Sequence, residues 1–456
     1  MSRATDSRAP DSGATSRRSE NVLVAGLGKT GLSIARYLKD SAADVIFYDS
    51  RTEPPGLDAL RELWPGAKLL LGSAGLPQGV DRVIASPGIE EHHPIIREAR
   101  DSGIKVVSDI ELFAAEAAAP FVAITGSNGK STVTTLLYYM CVADGRKVLA
   151  GGNLGEPALD LLDEERPDVY VLELSSFQLK RTHSLPASVS VLLNVSPDHL
   201  DWHESFADYE ACKYRVFAEA KGAVVNRADP KALAAVAGIE RVVSFGMDEP
   251  AEGHFGIRVE DERRFIACGD TLLLAVDEMS LYGLHNQANA LSALAAGELL
   301  GIGHSAMLQV LVEFPGLAHR MQFVARKGGV DYVNDSKATN VAAAIAAVRS
   351  VEGKVVLIAG GEGKGGDFGA LAAAVDGQLA AAVLIGKDAE AIAAALDDLI
   401  PKRFAADMDA AVGHAATLAK GDATVLLAPA CASLDQYADY GARGDAFVEA
   451  VRELPA

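Results

Sequence analysis

FVAITGSNGKSTVTTLL, residues 121–137, has the pattern of a buried strand, a glycine-rich loop and a helix. Glycines let such a loop turn its N–H groups inward, and the helix start that follows attracts anions. The run therefore predicts a phosphate-binding loop. It departs from the pattern G-x-x-x-x-G-K-[ST], because Ile124 stands where the first glycine belongs. This departure disfavours an ordinary kinase or GTPase loop and indicates a variant one.

Inside this loop, Gly126 and Gly129 are predicted to shape the backbone around phosphate oxygens. Lys130 is expected to neutralise the outer phosphates, and Ser131 is expected to ligate Mg²⁺. A glycine-rich turn without any ligand is the alternative. The Lys-Ser-Thr triplet directly after a buried strand disfavours that alternative.

The composition is that of a globular protein with 456 residues, of which 49% are hydrophobic and 23% are charged. The net charge of −20 disfavours a nucleic-acid partner, because no basic field would attract a phosphate backbone. The four cysteines are far apart, which disfavours a disulfide framework and predicts a reducing compartment, the cytoplasm. No apolar run reaches transmembrane length, so no membrane insertion is expected. Residues 1–19 are small and polar and are predicted to be a disordered tail.

Short apolar runs alternate with helix-like stretches from residue 21 onward, which predicts parallel sheets covered by helices. The alternation restarts at Phe121 and again near Val330, so we expect an α/β protein of three domains. The predicted bounds are 20–114 for a Rossmann-like domain, 115–315 for a central P-loop ATPase-type domain with a mixed sheet, and 316–456 for a second Rossmann-like domain. Residues 255–283 are expected to form a small antiparallel addition to the central domain.

A second glycine turn, AGLGKTG at residues 25–31, has the spacing G-x-G-x-x-G, and Asp49 ends the next predicted strand. The spacing is typical of a dinucleotide site in which the acidic residue binds a ribose hydroxyl. The same turn can hold any diphosphate, and Lys29 inside it adds positive charge. A turn that serves packing alone remains a third reading.

Several polar residues follow predicted strands, but each has an ordinary explanation when taken singly. Glu173 ends a strand, and His199 lies beside Asp198 in a pattern that is commonly structural. Ser433 stands three residues before Gln436, which is capping-box spacing at a predicted helix start. Lys213 lies on a predicted helix, Lys364 lies in a glycine-rich loop, and NDSKATN (residues 334–340) precedes a helix that Thr339 or Asn340 is expected to cap.

Taken together, these residues resemble the Mur ligases, a family of ATP-dependent amide ligases of peptidoglycan precursor synthesis. The resemblance covers residues 21–454, and NDSKATN is similar to the members that add D-glutamate. The motifs, in family order, are TGSNGKST (125–132), GGNLG (151–155), ELSSFQL (173–179), NVSPDHLD (194–201), GLHNQANALSA (283–293), His319 with Arg320, NDSKATN and PACASLDQ (429–436).

The resemblance implies ATP, two Mg²⁺ ions, UDP-N-acetylmuramoyl-L-alanine and D-glutamate as ligands of a cytoplasmic monomer with a hinge near residues 314–316. It implies catalytic roles for Lys130, His199 and Lys213, with Lys213 carbamylated. The implied metal ligands are Ser131, Glu173, His199 and Lys213. The implied nucleotide contacts are Gly126, Ser127, Asn128, Gly129, Lys130, Ser131, Thr132, Asn286, Asn289, Arg320 and Asp335. The implied UDP-sugar contacts are Thr30, Asp49, Arg51, Gly88 and Asn153, the implied D-glutamate contacts are Lys337, Thr339, Lys364 and Ser433, and Ser175 is assigned to the substrate site as well.

Three alternatives remain open at this point. A nicotinamide-dependent dehydrogenase would use the GLGKTG turn, although no catalytic pair for hydride transfer accompanies it. A P-loop switch or transport ATPase would hydrolyse ATP without an amino acid. A folylpolyglutamate synthase is a related amide ligase, but it has no reason to carry NDSKATN.

Overall fold

The computed structural model describes residues 20–41, 43–72, 75–199, 202–363, 365–421 and 423–455. The predicted tail and Lys364 lie outside these ranges. The chain forms two compact units. One unit contains the residues up to Phe113 together with Arg181–His183, and the other contains Ala114–Lys180 and the chain from Ser184 onward.

The first unit is built on a five-stranded sheet in which every pairing is parallel. Its strands are β1 (Asn21–Ala25), β2 (Asp44–Asp49), β3 (Lys68–Leu71), β4 (Arg82–Ala85) and β5 (Lys105–Val107), in the order β3-β2-β1-β4-β5. The helices are α1 (Lys29–Leu38), α2 (Leu57–Leu63), α3 (Pro94–Asp101) and α4 (Asp109–Glu116), of which α4 extends past the end of the unit. The strand order reverses between β2 and β4 on either side of β1, so the predicted Rossmann-like sheet is confirmed.

The second unit begins with a nine-stranded sheet. Its strands are β6 (Phe121–Thr125), β7 (Val148–Gly152), β8 (Val169–Glu173), β9 (Val189–Leu192), β10 (Gly222–Asn226), β11 (Arg241–Phe245), β12 (Phe255–Glu260), β13 (Arg263–Cys268) and β14 (Thr271–Ala275). The order is β14-β13-β12-β11-β10-β9-β6-β8-β7. The strands from β6 to β12 pair in parallel, whereas β12, β13 and β14 pair antiparallel. The predicted mixed sheet and its antiparallel addition are therefore confirmed.

The helices that accompany this sheet are α5 (Lys130–Ala143), α6 (Ser176–Lys180), α7 (Phe206–Tyr214), α8 (Pro230–Ala235), α9 (Leu284–Leu300) and α10 (His304–Glu313). Short 3₁₀ turns span Ala158–Leu162, Arg215–Phe217 and Val276–Glu278. The helix α5 is buried through Val133, Leu136, Leu137 and Met140, which belong to the same hydrophobic core as Val122 and Ile124 of β6 and as α9. This packing holds the start of α5 against the carboxyl end of β6.

A six-stranded sheet completes the second unit. Its strands are β15 (Gln322–Lys327), β16 (Val330–Asn334), β17 (Val355–Gly360), β18 (Leu379–Ile385), β19 (Lys402–Phe404) and β20 (Thr424–Leu427), in the order β15-β16-β20-β17-β18-β19. The helices are α11 (Val341–Arg349), α12 (Phe368–Val375), α13 (Ala389–Ala395), α14 (Met408–Leu418) and α15 (Tyr440–Glu453). Only the edge strand β15 pairs antiparallel among these described strands, so the second Rossmann-like sheet is confirmed as well.

Helix capping agrees with the sequence at one junction and differs at another. Asn340 caps α11 as expected, because its side chain accepts the Ala343 N–H at 2.8 Å. The helix start predicted at Ser433 is wrong. The Ser433 carbonyl oxygen accepts the N–H groups of Gln436 and Tyr437 in a turn, and the helix α15 begins only after Asp439, whose carboxylate accepts the Ala442 N–H.

Within the described ranges, no helix combines the length and the apolar character needed to cross a bilayer.

Candidate active site

The loop between β6 and α5 has the geometry that its sequence predicts. Gly129 adopts a φ of +86° just before α5, and a Cβ placed there would lie 2.3 Å from Asn289 Oδ1. Lys130 folds its side chain back, and its Nζ donates to the carbonyl oxygens of Gly126 at 2.9 Å and Ser127 at 3.0 Å. Burial lowers the pKa of Lys130. The loop thus holds a cation over its own backbone at a helix start, which is an arrangement suited to binding phosphate.

Asn194 also shapes this loop, although the sequence analysis did not select it as a site residue. Its Oδ1 accepts the Asn128 N–H at 2.9 Å, and its Nδ2 donates to the Asn128 carbonyl oxygen at 3.0 Å. Asn194 follows β9, which is the neighbour of β6 in the sheet. The signal that could have identified it is a polar residue just past the carboxyl end of an adjacent parallel strand.

Glu173 lies at the end of β8, on the other side of β6. Its Oε1 accepts a hydrogen bond from Asn153 Nδ2 at 2.6 Å. Its Oε2 is buried and has no hydrogen-bond partner among the described residues, and the whole residue is 2% exposed. A buried carboxylate oxygen without a partner is costly unless a cation satisfies it. Carboxylate oxygens of this kind are ligands that Mg²⁺ prefers, and the partnership of Glu173 with the Ser131 hydroxyl stays a prediction.

Lys213 is buried inside the same unit and faces the loop from α7. Its Nζ donates to the Gly126 carbonyl oxygen at 2.8 Å and lies 4.8 Å from the centroid of the Tyr209 ring. Burial, and then the charge of Lys130, hold the pKa of Lys213 well below its usual value. An amine with a lowered pKa carries a free electron pair and is a nucleophile. This environment is compatible with carbamylation, which stays a prediction.

His199 lies on the loop that follows β9 and is the most exposed of the predicted catalytic residues. It adopts a φ of +53°, its side chain is 48% exposed, and its Nε2 lies 3.5 Å from Asp198 Oδ2. The ring packs edge-on against Phe177, with 4.9 Å between the ring centroids. An imidazole that is exposed in this way remains accessible as a metal ligand.

Seven of the eleven predicted nucleotide contacts line one cleft of about 140 Å³, and Gly126, Ser127, Lys130 and Ser131 are not among its lining residues. Asn286 and Asn289 lie side by side on α9, and Asn289 Nδ2 donates to Asn286 Oδ1 at 3.0 Å. Burial raises the pKa of Asp335 to about 7, against the opposing effects of the Met321 N–H and Arg320. The residues that the cleft gathers include Asn128, Gly129, Thr132, Asn286, Asn289, Arg320, Asp335 and Lys337. Folding therefore brings residues from four separate sequence motifs to one cleft.

The residues predicted to bind D-glutamate are only partly brought together. Lys337 Nζ lies 3.9 Å from the centroid of the Tyr440 ring, and burial lowers its pKa. The Thr339 N–H donates to the Lys337 carbonyl oxygen, which keeps these two residues in one tight turn. Ser433 is buried at 3% exposure, and Lys364 lies outside the described residues.

The predicted UDP-sugar contacts of the first unit follow the carboxyl ends of its strands. Thr30 lies on α1, Gly88 is exposed after β4, and Asp49 ends β2. Asp49 is fully engaged: it accepts the Leu27 N–H at 2.8 Å and two hydrogen bonds from the Arg51 guanidinium at 2.8 Å each. These bonds make Asp49 an organiser of the glycine turn, and its contact with the UDP-sugar stays a prediction.

Asp49 is expected to make stability depend on pH. Burial alone would raise its pKa, but the hydrogen bonds from Arg51 and from the backbone lower it from 3.8 to about 2. The contribution of Asp49 to the free energy of unfolding is therefore complete when the pH lies above its unfolded-state pKa. The contribution is lost as the pH falls toward its folded-state pKa. We expect Asp49→Asn to lower the free energy of unfolding by about 2 kcal/mol at pH 7, and the difference from wild type to narrow below pH 4.

Urea titrations at several pH values measure this difference. Asp44→Asn is the matched control, because Asp44 forms an exposed pair with Lys68 that is expected to contribute less than 1 kcal/mol. If the two substitutions lowered the free energy of unfolding equally at pH 7, the stabilising role of Asp49 would be contradicted.

Asn153 and Ser175 lie in the second unit. The Asn153 side chain donates to Glu173 Oε1, and the Asn153 N–H also donates to the Glu173 carbonyl oxygen at 2.8 Å. Ser175 Oγ donates to Gln178 Oε1 at 3.1 Å and accepts the Gln178 N–H at 3.2 Å. Both residues therefore support the segment around Glu173.

Gly129→Ala is expected to destabilise the protein by about 1–2 kcal/mol, because an L-residue is strained at positive φ. The new methyl group also meets Asn289 Oδ1, so we expect Asn289→Ala to recover part of the loss in the double variant. Gly238→Ala serves as the control, since no heavy atom lies within 4 Å of a Cβ there. Chemical denaturation measures all four proteins, and a Gly129→Ala variant as stable as wild type would refute the expectation.

Family models match all three sheets of this chain. The Mur ligase middle domain matches residues 124–297, the MurD-like N-terminal domain matches residues 20–108, and the Mur ligase glutamate ligase domain matches residues 319–431. Among solved structures, a pseudomurein peptide ligase type C from Methanothermus fervidus is 20% identical with a TM-score of 0.57, covering 96% of this chain and 100% of that one. An ADP complex of MurF ligase from Thermotoga maritima is 17% identical, also with a TM-score of 0.57, and covers 96% of each chain. These two show the likeness of fold.

Curated relatives extend the likeness over nearly the whole chain. A UDP-N-acetylmuramoylalanine--D-glutamate ligase from Legionella pneumophila is 45% identical over 442 residues, which cover 95% of this chain and 99% of that protein. A protein of the same name from Methylococcus capsulatus is 47% identical over 435 residues and covers 95% of each. The chain therefore belongs to the Mur ligase family.

Proposed function

We propose that this protein joins D-glutamate to UDP-N-acetylmuramoyl-L-alanine in a reaction driven by ATP. The observation that carries the proposal is the gathering of Lys130, Lys213 and Glu173 around the phosphate loop of a chain that is 45% identical to D-glutamate ligases over nearly its full length. NDSKATN, which is similar to the D-glutamate-adding members, supports the choice of amino acid. The reaction is proposed to take place in the cytoplasm, on a monomer.

The chemistry explains why a phosphate loop is needed. A carboxylate does not acylate an amine unaided, because its oxygen is a poor leaving group. Transfer of the γ-phosphoryl group to the carboxylate of UDP-N-acetylmuramoyl-L-alanine gives an acyl phosphate. The amine of D-glutamate then attacks the carbonyl carbon, and phosphate leaves. The protein contributes position and charge neutralisation to both steps.

Separate groups of residues are proposed to bind ATP, the UDP-sugar and D-glutamate. Lys130 and the N–H groups of the loop hold the β- and γ-phosphoryl groups, while Asn286, Asn289, Arg320 and Asp335 line the cleft for the rest of the nucleotide. Thr30, Arg51 and Gly88 are proposed to hold the UDP-sugar, with Asp49 fixing the orientation of Arg51. Lys337, Thr339 and Ser433 are proposed to hold D-glutamate, together with Lys364.

Two Mg²⁺ ions are proposed for this site. Ser131 and Glu173 would hold the first ion, and His199 with a carbamylated Lys213 would hold the second. Mg²⁺ supplies neutralisation of crowded phosphate oxygens. The unpartnered Glu173 Oε2 supports the first site, and the exposed imidazole of His199 supports the second. A Lys213 amine that remained protonated would repel a cation, so the second site depends on the modification.

The hinge predicted at residues 314–316 belongs to the same proposal. It would let the third sheet carry D-glutamate toward the acyl phosphate. Distances between fluorophores on the second and third sheets are expected to change when ATP and the UDP-sugar are added together. Constant distances would refute this motion.

Phosphate release from ATP tests the function directly. We expect release only when both UDP-N-acetylmuramoyl-L-alanine and D-glutamate are present, with a product heavier than the acceptor by one glutamyl residue. L-Glutamate is the matched control. Release that requires neither an amino acid nor the UDP-sugar would overturn the ligase proposal and favour a P-loop ATPase.

A further inference from the structure

Three side chains outside the predicted site form a Ser-His-Asp arrangement in the second unit. His203 Nε2 lies 2.9 Å from Ser176 Oγ, and His203 Nδ1 lies 3.1 Å from Asp208 Oδ2. The other carboxylate oxygen of Asp208 forms an ion pair with Lys180. Because an ionised carboxylate only accepts hydrogen bonds, a neutral His203 donates from Nδ1 to Asp208 and accepts a hydrogen bond from the Ser176 hydroxyl at Nε2.

Burial excludes the use that this arrangement has in serine hydrolases. Ser176 is 2% exposed, and the His203 side chain is 0% exposed, so a substrate carbonyl cannot reach the hydroxyl. The three residues therefore have a structural role, and Ser176 does not act as a nucleophile.

These three residues lie beside the two segments that carry Glu173 and His199, which are proposed metal ligands. Ser176 is the first residue of α6, three residues after Glu173. The next residue, Phe177, packs its ring against His199 at 4.9 Å between centroids and against His203 at 5.7 Å. The Trp202 and His203 N–H groups both donate to the His199 carbonyl oxygen, at 3.1 and 3.0 Å. His203 is thus bonded or packed to both segments, one carrying Glu173 and one carrying His199.

We propose that His203 is a positioning residue for the metal site: by bridging Asp208 and Ser176 and supporting Phe177, it holds His199 and Glu173 at a constant separation. The proposal rests on the metal binding of the proposed function. It explains why His199 keeps a backbone conformation at positive φ, since the side chain is exposed and the adjacent backbone is tied to His203. Partners of this kind orient metal ligands without touching the metal.

Mn²⁺ binding measured by electron paramagnetic resonance, with a non-hydrolysable ATP analogue present, tests the proposal without turnover. We expect His203→Ala to weaken Mn²⁺ binding by about 10–100-fold. His203→Gln is expected to recover part of this loss, because its amide reaches the position of Nε2 and keeps the bond to Ser176. His304→Ala, which removes an exposed histidine paired with Glu298 at 2.9 Å, is the matched control and should bind Mn²⁺ like wild type.

Ser176→Ala provides a second test if His203→Ala does not fold, since it removes one hydroxyl and keeps the packing. It should weaken Mn²⁺ binding in the same direction. Unchanged Mn²⁺ binding by a folded variant at position 203 or 176 overturns the positioning role alone. Labelling of Ser176 in the wild-type protein by a fluorophosphonate also overturns it, because that would show a reactive nucleophile. A wild-type protein that binds no Mn²⁺ overturns the proposed metal site and this inference with it.

Discussion

Lys130→Ala is expected to lower kcat/KM for ATP by about 10²–10³-fold, which is the usual loss when one charge-stabilising group is removed from a transition state. The ammonium lies at the start of α5, beside the loop that is proposed to hold the γ-phosphoryl group. Stability should not fall, because the substitution removes a partly desolvated charge whose pKa is already lowered by burial. Steady-state kinetics and thermal denaturation together measure the two effects.

The control for this substitution is Lys147→Ala, which removes an exposed lysine that pairs with Glu165 at 2.7 Å. It is expected to leave both kinetics and stability near wild type. A Lys130→Ala variant that retains kcat/KM within threefold of wild type would show that the loop does not hold the transferred phosphoryl group.

Lys213→Ala is expected to abolish measurable ligation, and short carboxylates such as acetate or formate are expected to restore part of it. The substitution leaves a buried space beside the Gly126 carbonyl oxygen, and a small carboxylate there would replace the oxygen ligands of a carbamate. The lowered pKa of the amine is the physical reason for expecting carbamate formation, since only the neutral amine attacks CO₂. Activity assays over a range of carboxylate concentrations measure the recovery.

Lys231→Ala is the matched control, because Lys231 pairs with Glu210 of α7 at the surface, 2.7 Å away. It should keep full activity and show no response to carboxylates. ¹³C spectra of wild-type protein in labelled bicarbonate should show a carbamate signal that Lys213→Ala lacks. If Lys213→Ala had wild-type activity without added carboxylate, the proposal that Lys213 ligates a metal would be refuted.

Much of the fold was predictable because its signals are local. The central parallel strands are buried on both faces and appear as short apolar runs, as at residues 21–25 and 121–125. Glycine turns mark the strand-to-helix junctions, as at Gly129, where positive φ and the approach of Asn289 leave room only for glycine. The helix start at Ser433 was wrong because capping-box spacing does not distinguish a helix from a turn in which the serine carbonyl oxygen is the acceptor.

The site was harder to predict, because several of its contacts join residues that are distant in sequence. Asn194 contacts the glycine-rich loop from the segment that follows β9, and His203 contacts Ser176 from the segment that precedes α7. Tyr209 forms a hydrogen bond with Ser127 and packs its ring against Lys213, and its spacing of four residues from Lys213 is the one sequence signal that could have identified it. The hydrogen bond from the Leu27 N–H to Asp49 was not predictable for the same reason, because these residues lie 22 positions apart.

The sequence by itself determined the order of strands and helices, the phosphate loop, the three α/β sheets and the family, because each depends on residue type and spacing along a short segment. The tertiary structure decided which polar atoms are already satisfied and which remain free to bind. Asp49 is in the first class, and the buried Glu173 Oε2, unpartnered among the described residues, is in the second. The physical reason is that burial and hydrogen bonding depend on side chains that meet only after the sheets have formed, whereas strand and helix propensities act before that.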